Sequence, residues 1–209
     1  MFIHEMFQQK PCVFSVEVFP PKKAGAAEET LYPVLRELCT LGPDYISVTY
    51  GAGGGTAGQS TAKIASYIKN GLHVEALAHL TCVNSTRVQV EETLTRLRED
   101  NVENVLALRG DINPDLPRRM DFLHASDLAK AIAQTGGFGV AGACYPEGHV
   151  ESPSLKADVE SLRYKAEAGV SHLITQLFFD NVSYYRFLNM ARKAGISLPV
   201  QAGIMPIVS

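Results

Sequence analysis

Residues 104–111 read NVLALRGD, an apolar run that ends abruptly in Arg109, Gly110 and Asp111. As an adhesion tripeptide, Arg-Gly-Asp would have to be exposed, yet the run before it is a buried strand leading straight in. A local Arg–Asp pair closing a loop is the plainer reading. The same form, an apolar strand delivering polar groups at its C-terminal end, recurs along the chain. It appears at Glu17 in FSVEVFPPKK, at Thr49 in TYG and at His79 in HLT. Tyr145 in YPEGH and Gln176 in TQLFFD repeat it.

Around these ends the pattern alternates strand and helix. Strands are expected over 12–19, 45–50, 75–80, 102–108, 139–144, 172–178 and 199–202. Helices are expected over 26–41, 60–70, 86–100, 126–134, 154–168 and 182–194. Asn84 or Ser85 can cap the third of these helices, with Glu91 and Glu92 as its acidic first turn. Gly169 and Gly195 stand just past helix ends, where a left-handed residue is wanted.

Repeated βα units imply parallel strands joined by right-handed crossovers. An open sheet would gather its polar groups at one switch point. Here nearly every strand contributes one, which is the arrangement of a (β/α)8 barrel of the TIM type. No linker, low-complexity tract or charge block interrupts the series, so residues 1–209 read as a single barrel domain. The chain stops at GIMPIVS after about seven strands, and a barrel without its eighth unit has two unpaired edges.

Composition narrows the function classes. The chain is 46% hydrophobic and 20% charged, with a net charge of −3, so no basic footprint for nucleic acid is present. No apolar run approaches the ~20 residues that span a bilayer. His4 and Glu5 stand where a secretory signal would be basic and then apolar. Cys12, Cys39, Cys82 and Cys144 are scattered, without a C-x-x-C pair, and read as buried free thiols in a reducing cytoplasm.

Individual motifs point away from several chemistries. In YGAGGGTAGQSTAK, Gly53, Gly58 and Ser60 almost spell a P-loop, but Gln59 replaces the phosphate-binding lysine. Thr56 stands where a dinucleotide fingerprint from Gly51 would place its third glycine. A flexible loop over the barrel mouth fits this stretch better. His79 in AHLTC reads as a hydrogen-bonded core residue, and no second ligand lies at metal spacing, so no metal is expected. Asp158 and Lys165 lie seven residues apart on one helix, two turns, so both can face one ligand. Phe178 and Phe179 read as core packing. No Ser–His–Asp order or reactive cysteine environment emerges. A mouth rich in hydrogen-bonding groups, with carboxylates at Glu17 and Asp111, suits a large planar cofactor.

Taken together, FSVEVFPPK, DYISVTYGAGG, AHLTC, NVLALRGD, YPEGH, the helix through Asp158 and Lys165, and LITQLFFD resemble bacterial methylenetetrahydrofolate reductases. The match runs in order along nearly the whole chain. The resemblance implies a barrel holding FAD at the C-terminal ends of its strands. It also implies reduction of 5,10-methylenetetrahydrofolate to 5-methyltetrahydrofolate with electrons from NADH or NADPH. By motif, Glu17 matches the general acid that opens the methylene bridge. Thr49, His79, Arg109, Gly110 and Asp111 match flavin-contacting positions, as do His124, Ala125, Tyr145, His149, Asp158 and Lys165. Asp111 also matches a residue near the pterin, and Gln176 matches an amide contacting folate and nicotinamide. His124 and Ser161 depart from the Tyr and Asn common in the family.

The resemblance implies folate and a nicotinamide cofactor as partners; a cytoplasmic homo-oligomer is expected. Family members continue beyond the point where this chain stops, which leaves a weakly active or non-catalytic fragment of the same fold as one alternative. A barrel lyase acting on a small phosphorylated substrate is another; it needs a Schiff-base lysine at a strand end, and no strand here ends in lysine.

Overall fold

The computed structural model describes residues 1–21, 23, 25–50, 57–112 and 119–207. Seven parallel strands follow one another in sequence order: β1 (Ser15–Val18), β2 (Tyr45–Val48), β3 (Glu75–Thr81), β4 (Asn104–Leu108), β5 (Gly139–Cys144), β6 (His172–Thr175) and β7 (Val200–Gln201). Sequential order with every pair parallel is the wall of a (β/α) barrel, not of a doubly wound sheet, whose order reverses at a switch point. Among the described residues β1 and β7 each lack a strand partner on the outer side. The wall nevertheless curls round. The Gln201 side chain on β7 donates to Ser15 Oγ at 3.0 Å and to the Val13 carbonyl at 3.4 Å, and it accepts from the Tyr45 hydroxyl. Strands at opposite ends of the order therefore meet through one amide, leaving a seam.

Seven α-helices are described: α1 (Ile3–Gln9), α2 (Ala27–Cys39), α3 (Ala57–Ser66), α4 (Arg87–Glu99), α5 (Ala125–Thr135), α6 (Leu155–Glu167) and α7 (Asn181–Lys193). A π turn, Tyr67–Gly71, extends α3. Pro33 sits inside α2, where it removes one backbone donor; Tyr32 and Leu35, both buried, hold that helix to the sheet. The N-cap of α4 is Thr86, not Asn84 or Ser85. Its hydroxyl accepts from Gln89 N at 3.2 Å, and Gln89 Oε1 accepts from Thr86 N at 2.9 Å. Glu91 and Glu92 therefore fall beyond the first turn, which carries no acid. Gly169 and Gly195 follow α6 and α7 at φ +97° and +83°, as their positions predict.

Strand alternation sorts side chains between two apolar clusters. Outward residues such as Ile46, Val48, Ala78, Val105 and Val140 pack under the helices. Inward residues Tyr45, Leu77, Leu106 and Ala141 form a floor, closed from below by Ile3 and Met6 of α1. The sequence reading did not anticipate α1. At seven residues it is too short to show an apolar period, and its stability is tertiary. Ile3 N donates to Asn104 Oδ1 at 2.8 Å, and the Met1 ammonium meets Glu103 at 2.9 Å. No described helix is long and apolar enough to cross a membrane.

Candidate active site at the barrel mouth

Register fixes which side chains share the interior. In β1 and β2, Glu17 stands opposite Ser47; in β2 and β3, Ser47 stands opposite Leu77, so His79, two residues on, shares its face. Glu17, Ser47 and His79 thus form the layer above the apolar floor. They line a cleft of about 1980 Å³, which also takes in Thr49, Arg109, Gly110 and Asp111. Tyr145, His149 and Gln176 complete the expected set on its wall. Each of these follows or ends a strand, so the topology carries them to one mouth.

The carboxyl of Glu17 lies among β1–β3, and burial raises its pKa from its ordinary value. Its side chain still keeps 48% of its surface open, and that open face looks into the cleft. Val16 and Val18 pack under the helices, whereas Phe14 and Phe19, 45% and 68% exposed, line the same cleft as Glu17.

His79 is 7% exposed, and burial pushes its imidazole down to about 4, so the ring is neutral at physiological pH. Its Nε2 shares a hydrogen bond of 2.6 Å with Ser47 Oγ and lies 3.5 Å from Glu17 Oε2. His79 is both the hydrogen-bonded core residue its strand suggests and part of the cleft wall. Ser47 was not recognisable from its type. Only its place two residues from Tyr45, on the Glu17 face, could have marked it.

Arg109 does not pair with Asp111. Its guanidinium forks onto Glu151, at 2.5 and 2.7 Å, across the loop after β5. Glu151 drew no notice in the sequence because it belongs to a separate loop. Gly110 adopts φ +84°, and a Cβ there would come within 3.0 Å of Thr81 Cβ. A backbone pressed so close to β3, in a cleft this large, leaves room for a broad flat ligand; the residues present fit a flavin.

Four expected contacts are not on the wall. His124 and Ala125 open α5, where the Asp127 carboxylate accepts from His124 N at 2.9 Å, and they lie outside the cleft lining. Asp158 and Lys165 sit on α6 behind the wall and brace the loop that carries Tyr145 and His149. Asp158 Oδ2 accepts from His149 N at 3.2 Å, while Lys165 Nζ donates to the Ala143 carbonyl at 2.5 Å. Lys165 Nζ also lies 5.9 Å from the centre of the Tyr145 ring. Burial lowers the Lys165 pKa. Tyr145 and His149 meet edge to face at 4.8 Å.

Phe178 stacks on Tyr184 at 4.8 Å, but Phe179 is 65% exposed and is not core. Cys82 and Cys144 are buried, Cys39 is half-buried and Cys12 is exposed, so burial holds for only part of the set. The glycine-rich stretch 51–56, expected as a flexible loop over the mouth, lies outside the described residues. Among the described residues no group of three or more His, Cys, Asp and Glu could hold a metal ion.

Comparison with known proteins bears on the same cleft. The family described as methylenetetrahydrofolate reductase matches residues 2–209. The chain is 38% identical to 5,10-methylenetetrahydrofolate reductase of Pectobacterium carotovorum, over 92% of this chain and 63% of that protein. It is 36% identical to the Escherichia coli K12 protein of the same name, over 92% and 64%. With methylenetetrahydrofolate reductase (NADH) 1 of Arabidopsis thaliana it shares 36% identity, over 98% of this chain and 37% of that one. The chain thus spans less than two thirds of the length of these relatives. Among solved structures, 2,3-dimethylmalate lyase superposes with a TM-score of 0.65 at 11% identity, over 99% of this chain and 75% of that one. A Clostridium thermocellum protein that binds two copies of 5-methyl-5,6,7,8-tetrahydrofolic acid superposes at 0.61 and 15%, over 95% and 67%. At such identities the likeness concerns the fold alone.

Proposed function

Starting from the membership of this chain in the methylenetetrahydrofolate reductase family, we propose that its cleft reduces 5,10-methylenetetrahydrofolate to 5-methyltetrahydrofolate. The observation that carries this reading is a carboxyl with a raised pKa, Glu17, facing a large cleft beside a neutral histidine. Opening the five-membered ring of the substrate requires a proton on its N10. An acid works best when its pKa approaches the working pH, and Glu17 is shifted in that direction. A charged His79 would oppose this by favouring the carboxylate; desolvation keeps His79 uncharged.

FAD, bound at the mouth, would supply the hydride that NADH first delivers to it. Thr49, His79, Arg109, Gly110, Asp111, Tyr145 and His149, which line the cleft around the ends of β2–β5, would hold it. Asp158 and Lys165 would act at one remove by fixing the Tyr145–His149 loop. Gln176, at the end of β6, offers an amide to folate or nicotinamide. The floor of Tyr45, Leu77, Leu106 and Ala141 keeps water from reaching the layer above it from below.

The test is Glu17→Gln. The variant retains NADH oxidation with menadione as acceptor and loses folate reduction by about 10²–10⁴, the usual worth of a general acid. Folate turnover at the parental rate removes Glu17 from this role.

A further inference from the structure

The Nε2 atom of His79 has two neighbours and room for one bond. Ser47 Oγ is at 2.6 Å, within hydrogen-bonding distance, whereas Glu17 Oε2, at 3.5 Å, lies beyond the usual range. In either tautomer of a neutral imidazole, one hydrogen or one lone pair sits at Nε2, and a single strong partner uses it. Ser47 is 4% exposed, and β2 fixes it directly beside Glu17, so its hydroxyl has a defined place in the layer.

We propose that Ser47 is a positioning residue: by holding His79 Nε2 it keeps that ring from bonding Glu17, and so leaves the carboxyl free to carry its proton into the cleft. This rests on Glu17 being the acid of the proposed reaction. Among the described residues His79, on β3, is the one basic group within 4 Å of the Glu17 carboxyl. Tyr45, on β2, is the other titratable group that senses it; burial pushes that phenol up to about 12, so it stays neutral through the working range. Gln201, on β7, carries no charge. With no cation among the described residues committed to it, Glu17 experiences mainly desolvation, which favours the protonated form.

Without the Ser47 hydroxyl, the Nε2 position opens to Glu17. An ionised carboxylate makes the stronger, charge-assisted bond with the ring, so the acid gives up its proton at lower pH. The experiment is a carbon-13 titration of the Glu17 side-chain carboxyl, assigned with Glu17→Gln, in the parent, Ser47→Ala and Ser47→Thr. Ser47→Ala moves the midpoint down by about one pH unit, the scale of one added hydrogen bond to a carboxylate. Ser47→Thr, which keeps a hydroxyl, restores the parental midpoint.

In the parent alone, the His79 Nε2 nitrogen resonance stays put while Glu17 titrates, a measurement that stands even if Ser47→Ala does not fold. An unmoved midpoint in Ser47→Ala, an equal shift in Ser47→Thr, or an Nε2 resonance that follows Glu17 overturns the proposal. The pH profile of folate reduction is read separately. In Ser47→Ala its alkaline limb moves with the carboxyl midpoint. Absence of folate turnover in a parent whose titrations behave as stated defeats the reductase reading and leaves the placement of Ser47 standing.

Discussion

Two buried imidazoles couple folding to pH. His79 and His172 are both pushed down to about 4 by burial, from an ordinary 6.5. Between those values the unfolded chain binds protons that the folded one refuses, so stability is complete above about 6.5 and falls as pH drops towards 4. Each histidine accounts for about 3 kcal/mol across that window, at 1.36 kcal/mol per pH unit. Glu17, with a raised pKa, acts in the opposite sense and partly offsets the loss. His172 Nε2 has no hydrogen-bond partner among the described residues, and its ring lies 5.3 Å from that of Phe7. Urea titrations from pH 7.5 to 4.5 should show this decline, and His172→Leu should roughly halve it; a parallel pH dependence in the variant contradicts the assignment. At this scale the sequence marks residues whose chemistry is conspicuous and whose place follows a strand: Glu17, Arg109 and Gln176 all reach the cleft. It does not mark Ser47, a small polar residue whose meaning depends on which face of β2 it occupies. Nor does it separate Ala125 and Lys165, on helices, from residues that line the wall, because helical spacing alone does not say how far a side chain reaches past a strand end.

Among the elements, α1 is the one the sequence conceals and the fold depends on. A seven-residue helix is too short to be stable alone and too short to show a period. Its Ile3, 0% exposed, nevertheless belongs to one apolar cluster with inward residues of four strands, and the Ile3 backbone N–H is bound by Asn104. Ile3→Ala is therefore expected to cost about 2–5 kcal/mol, as for other fully buried large-to-small changes. Equilibrium unfolding measures this, and a loss under about 1 kcal/mol would mean that α1 adds little to the floor. The longer elements were legible because their signals are redundant. β5 coincides with the stretch expected from sequence, and α7 is bracketed by Asp180 as cap and Gly195 as stop. Boundaries slipped where three caps compete: Thr86, with Gln89 three residues on, prevails over Asn84 and Ser85.

In the whole molecule, hydrogen-bonded strand pairs run without interruption from β1 to β7, and among the described residues the hydrogen bonds that complete the circuit are those of Gln201 with Ser15, Val13 and Tyr45. The barrel reading followed from polar strand ends distributed round a ring; that the ring would be joined by a side chain was invisible, because such a contact has no local pattern. Hydrogen exchange should therefore be fastest, among strand amides, on β1 and β7, and Gln201→Ala should speed it there while leaving β3 and β4 protected. Uniform acceleration over all strands would show that the amide does not act locally. A split ring joined, among the described residues, by this clasp flexes at its cut, and the cut runs beside Glu17. Spreading it would carry the acid on β1 away from Gln176, just past β6, so the width of the opening and the distance between those two groups are a single mechanical variable.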